Sequence, residues 1–172
     1  MLPSIRPRDE GSVSQMIYPL VLGLHNLNRW LVLGLGLWAF FRLFTGWRSG
    51  RPWRTLDQQS VNWFLGVLTL QFLLGATLYA LPGALVHNVL QTVEFAVIMK
   101  QRVLRFFVLE HPLQMVIAVA CAYTLGFLLP GFQTDQRRFA IGALLLGIAL
   151  LLILTAVPWP FLSQGRPLVR WP

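Results

Sequence analysis

Four stretches of this chain are apolar over lengths that a soluble helix rarely needs, and charge collects between them. Val61 to Leu81, Pro112 to Phe132 and Phe139 to Val157 carry no charged residue, and the last remains uncharged as far as Gly165. Tyr18 to Phe44 is apolar around a polar patch, His25-Asn26-Leu27-Asn28-Arg29. A helix crossing a bilayer needs about 20 mostly apolar residues. The pattern therefore predicts an all-α fold: an integral membrane four-helix bundle forming one domain over 1–172, with transmembrane helices near 17–44, 61–81, 106–130 and 139–157. Pro158-Trp159-Pro160 ends the fourth helix, because proline cannot continue the ladder, and Trp159 fits an interfacial anchor.

The connection between the second and third helices has its own periodicity. Val86, Leu90, Val93 and Val97 recur at helical spacing, with His87, Gln91 and Glu94 on the other face. This predicts an amphipathic interfacial helix over about 85–100. It is either a lid over that end of the bundle or a connector resting on lipid. Gly23, Gly34, Gly36, Gly66, Gly75, Gly142 and Gly147 fall within the spans, where small residues let helices approach closely.

Composition agrees with the membrane class. Charged residues make up 12% of the chain, against roughly 25% in soluble domains. The net charge of +8 does not indicate nucleic acid, since the arginines sit at the ends of apolar runs and form no continuous stripe. Arg42, Arg48, Arg51 and Arg54 crowd the first loop, and Arg137 and Arg138 the short third loop. Arg6, Arg8, Lys100, Arg102, Arg105, Arg166 and Arg170 belong to the opposite side. Density in the short loops puts loops one and three inside and both termini outside, so the expected location is a bacterial inner membrane with periplasmic termini. Met1 to Gln15 reads as a short polar leader without a signal peptide. The single cysteine, Cys121, lies within the third run and reads as a small core residue.

Ionisable groups inside a membrane are expensive, and each marks a functional candidate. His25 begins the first span and His111 the third, and alternate spans start on the same side. Two imidazoles at similar depth in one bundle can grip a haem iron. His25 lies about eight residues into its helix, roughly 12 Å deep at 1.5 Å per residue. Arg29, one turn on, needs a partner: Glu110, a backbone carbonyl or a haem propionate. Its role is either functional or that of an ion pair orienting helices. His111 precedes Pro112, so it either starts a helix or belongs to one that begins near Val103 and kinks at Pro112. Glu110 is a candidate acceptor for the His111 ring N–H, a partner for Arg29, or a surface carboxylate. Gln71, Gly75 and Tyr79 form a stripe on the second helix: an amide, a gap and a phenol. Met115 reads as core and His87 as solvated. No nucleophile–base pair, phosphate loop or zinc motif is present, so enzymatic chemistry is not expected, and no pair of Gly/Pro-broken helices indicates a transporter.

These residues carry a resemblance. Leu24-His25-Asn26-Leu27-Asn28-Arg29-Trp30 resembles the opening motif of a widespread group of small bacterial four-helix membrane proteins known as cytochrome-b-like. Gln71-Phe72-Leu73-Leu74-Gly75 with Tyr79, Glu110-His111-Pro112-Leu113 with Met115, and Pro158-Trp159-Pro160-Phe161 resemble the group's second, third and closing motifs in order. Some members carry a histidine where this chain has Thr69, so a ligand from the second helix is missing here. The resemblance implies haem b held by His25 and His111, with Arg29, Gln71, Gly75 and Tyr79 around it. It implies electron transfer within a respiratory or photosynthetic membrane complex. The expected partners are lipids, other membrane subunits and a quinone. The competing reading is a cofactor-free structural subunit whose buried polar residues join helices.

Overall fold

The computed structural model describes residues 10–168, with side chains from residue 16 onward. Arg6, Arg8, Arg170 and the first nine residues of the expected leader lie outside the described residues. From Glu10 the chain is already helical. α1 runs Glu10–Ser49 over 40 residues, about 60 Å at 1.5 Å per residue, so it starts well before the predicted residue 17. α2 spans Thr55–Ala80. Three short helices follow: α3, Leu85–Thr92; α4, Phe95–Lys100; and α5, Arg102–Arg105. A π-helical segment, Phe106–Glu110, leads into α6, His111–Leu128, and a 3-10 turn, Leu129–Gly131. α7 is Asp135–Ala156, with the Thr134 hydroxyl accepting from the Arg137 N–H at its start. Among the described residues, four helical stretches are long and apolar enough to cross a membrane.

The long helices pack in a closed order: α1 against α2 and α7, and α6 against α7 and α2. Val32, Leu43, Phe64, Leu68, Leu125, Phe139 and Leu146 fill the interior between them. At Gly46 a Cβ would be driven into the Phe139 ring, so glycine there sets how closely α1 and α7 approach. Gly36, Gly142 and Gly147 also meet neighbouring side chains, but Gly34 and Gly66 face open space, so those two do not serve helix packing.

The predicted single helix over 85–100 is broken. α3 stops at Val93, which takes an extended conformation (φ −117°, ψ 130°), and α4 restarts after Glu94. The break lets Val89 and Ile98 turn inward onto Val108, with Val86, Val93 and Leu104 beside them. Leu90 and Val97 of the predicted apolar stripe point outward and are exposed. Burial of a small apolar cluster against the start of the third span thus outweighs continuity of one amphipathic helix.

The end bearing loops one and three is closed by a carboxylate. The Asp57 side chain is fully buried. It accepts from Arg42 Nη2 at 2.6 Å, from Arg51 Nη1 and Nη2 at 2.6 and 2.7 Å, and from the Arg54 N–H at 2.9 Å. These hydrogen bonds hold the Arg51 guanidinium above its ordinary value, and its face also lies 4.7 Å from the Phe139 ring centre. Charge in the first loop is therefore partly internal: Arg42 and Arg51 pair with Asp57, and α2 begins six residues before the uncharged run, with Asp57 in its first turn accepting from the Arg54 N–H. The Trp53 N–H donates to Asp135 at 2.9 Å and ties loop one to the start of α7.

Replacing Asp57 with Asn removes one partner from each of two ion pairs. A stability loss of about 2 kcal/mol or more is expected, read as a lower unfolding midpoint in detergent. Arg48→Gln, at an exposed arginine of the same loop, should leave the midpoint unchanged.

Candidate functional site

At the opposite end, an apolar cavity of about 400 Å³ opens between α1, α2, α6 and α7, with α3 at its edge, within the usual range of ligand sites. His25, Arg29, Gln71, Gly75, Tyr79 and His111 all line it. The six residues singled out by sequence come from three helices and converge on one space. Met115 also lines it while packing on the core, and Leu85 and Val86 bring α3 over its edge. His87 stays half-buried outside it.

Backbone rules account for much of this convergence. Proline has no N–H, so it leaves unpaired the carbonyl four residues before it in a helix. Pro112 does this to Val108, and the Tyr79 hydroxyl donates to that oxygen at 3.2 Å. Ala156 is the last residue of α7 and Val157 after it is extended, so the Ala156 carbonyl has no intrahelical donor, and His111 Nδ1 donates to it at 2.8 Å. Pro158 cannot serve Leu154, whose carbonyl takes the Trp159 indole N–H at 2.9 Å. Trp159 is thus half-buried, packed on the core and on Trp30 with ring centres 6.5 Å apart. The helix does not begin at His111. It enters from Arg102 and passes through the π segment, where the His111 N–H bonds Phe106 O, five residues back. Such wide turns often mark functional positions.

The ring centres of His25 and His111 lie 6.4 Å apart with planes at 73°. Because a carbonyl only accepts, His111 carries its proton on Nδ1 and leaves Nε2 bare. His25 is gripped by Gln71, whose Nε2 donates to the His25 carbonyl at 3.0 Å and faces His25 Nε2 at 3.2 Å. The Gln71 oxygen accepts from Asn28 Nδ2 at 2.9 Å, and Asn28 also donates to Val67 O. The other ring nitrogen, His25 Nδ1, is shielded and has no hydrogen-bond partner among the described residues. A Cβ on Gly75 would lie 3.2 Å from His25 Cε1, so the absent side chain makes room for the imidazole itself.

Among the alternatives for Glu110 and Arg29, the structure has the surface carboxylate and the backbone carbonyl. Glu110 pairs with Arg105 at 2.6 Å and is substantially exposed, so it reaches neither Arg29 nor His111. Arg29 instead donates from Nη2 to the carbonyl of Leu168 at 2.6 Å, which Trp30 Nε1 also reaches at 3.1 Å. The segment after α7 folds back to supply that oxygen. Asn28 and the carbonyl of Ala156 were not singled out by sequence. Asn28 sits in the polar patch and was legible there, whereas a backbone acceptor from another helix leaves no mark in composition.

Comparison of the chain with protein-family models, curated proteins and solved structures finds no match.

Tyr79→Phe leaves the Val108 carbonyl without the phenol. A loss of about 1 kcal/mol is expected, seen as a lower unfolding midpoint in detergent. An unchanged midpoint would mean that carbonyl is satisfied another way.

Proposed function

We propose that this protein is a small membrane cytochrome of b type, an integral four-helix bundle with an interfacial α3–α4 segment, whose cavity takes haem b between His25 and His111. The observation that carries the reading is that His25 and His111, from two different helices, meet in the wall of one apolar cavity with ring centres 6.4 Å apart. Among the described residues no three His, Cys, Asp or Glu gather as a protein-only metal cage would require. Two imidazoles alone suit a metal whose other ligands arrive with a cofactor.

The residues fit such a group on three counts. His25 Nδ1 is a buried polar atom with no partner among the described residues, His111 offers a bare Nε2, and the cavity they share is predominantly apolar. Bound haem would supply one-electron redox chemistry. The chain's own residues orient and insulate. The Ala156 carbonyl fixes the His111 tautomer and raises its basicity as a ligand. The Gln71 amide orients the His25 ring: its oxygen is taken by Asn28 and its nitrogen donates to the His25 carbonyl and faces the ring Nε2, which accepts. Met115, Phe72 and Ile153 keep water from the metal position. No group in the cavity is arranged for substrate chemistry, so the protein acts as an electron-carrying subunit beside other membrane subunits, with a quinone as its exchange partner. We place it in a bacterial inner membrane with both termini periplasmic.

The test is a dithionite-reduced minus oxidised spectrum of the detergent-purified protein expressed with ample haem. A sharp b-type α-band is expected in the wild type and should be lost in both His25→Ala and His111→Ala. A band that survives either substitution ends the paired-ligand assignment. A flat spectrum from folded wild-type protein favours the cofactor-free subunit.

A further inference from the structure

The same cavity carries a cationic feature that the imidazole pair does not use. Arg29 lines it and is only 7% exposed. Its sole hydrogen-bond partner among the described residues is the neutral carbonyl of Leu168, and its Nε is shielded with no partner. A second guanidinium, Arg166, lines the cavity from the folded-back C-terminal segment, exposed at the rim, with its Cζ 5.0 Å from the Phe107 ring centre. Among the described residues no Asp or Glu lines this space. The contrast with the other end is direct, since there Arg42 and Arg51 share the buried Asp57.

A charge held away from water without a counter-ion is costly. Leu22, Leu68, Met115 and Val119 line the remainder of the cavity, so a small hydrated anion gains nothing from most of its wall. We infer that Arg29 and Arg166 form a carboxylate subsite, and that the cavity takes an amphiphile with an apolar body and an acidic group. The acid takes Arg29 through a charge-assisted, fork-like hydrogen-bond pair, and Arg166 closes on it from the rim. The subsite goes beyond the haem reading and does not require iron. Two sources supply this chemistry: the carboxylate side groups of a porphyrin, or the head of a long-chain fatty acid.

Binding of four probes to the detergent-purified full chain distinguishes them: haem b, its dimethyl ester, a long-chain fatty acid and its methyl ester. Tryptophan fluorescence quenching reports all four without reference to electron transfer. The wild type should bind the acid form of at least one pair about tenfold or more tightly than its ester. That preference should collapse in Arg29→Gln and shrink in Arg166→Gln. The rim variant keeps the test readable if Arg29→Gln fails to fold. Preference within the haem pair alone assigns the subsite to porphyrin carboxylates, and within the fatty-acid pair alone to a lipid acid. Equal binding of acid and ester, absence of binding by every probe, or a preference that survives Arg166→Gln undiminished would overturn the subsite. Equal binding of acid and ester in both pairs, with haem and its ester each giving a b-type spectrum, would remove the subsite and leave the paired-histidine reading intact.

Discussion

A helical carbonyl that has lost its donor to proline has nowhere to turn in an apolar interior, where no water waits to replace the bond. Pro112 and Pro158 create that need, the end of α7 creates it again at Ala156, and Tyr79, Trp159 and His111 each answer it. Much of the cavity follows from these three bonds. The Tyr79 bond ties α2 to the π segment before α6, and the His111 bond ties α6 to the end of α7. The Trp159 bond turns the chain after α7 back onto α1, and that return brings Leu168 to Arg29. The imidazole of His111 is therefore held in one tautomer by a bond that the backbone needed anyway.

The two ends of the molecule handle positive charge in opposite ways. At the loop one end, Asp57 is buried among Arg42, Arg51 and the Arg54 N–H, so the cations are matched and the site is rigid. At the cavity end, Arg29 is buried against a neutral carbonyl and Arg166 against an aromatic face. Matched charge closes a structure, whereas unmatched charge beside an apolar space leaves it receptive. This asymmetry separates a structural end from a binding end without appeal to any ligand.

The site's members were legible because polar residues inside apolar runs are conspicuous. His25, Arg29 and Gln71 stand out against their helices, and their helical spacing with Asn28, Gly75 and Tyr79 gives shared faces. Less legible was what each would touch. Glu110 is adjacent to His111 in sequence, which left a partnership with it open beside a surface position, and it turns to Arg105. The reason is that neighbours in a helix point to different faces, and a carbonyl across the interface offers better geometry than an adjacent side chain. Asp57 escaped notice because a carboxylate just outside an apolar run reads as solvated. Its burial depends on two arginines that reach it from 15 and six residues away.

By itself the sequence determined the class of the molecule, since hydropathy length alone dictates four helices long enough to span a membrane, and proline dictates where the ladder fails. It also determined which side chains would be anomalous in such helices. Tertiary structure decided how those anomalies are resolved: which carbonyl His111 takes, which oxygen meets Arg29, and where the interfacial segment breaks so that Val89 and Ile98 reach Val108. Periodicity is a property of one segment and is written in its residues. A hydrogen bond to another segment's backbone depends on the crossing and register of both, and no local pattern records that.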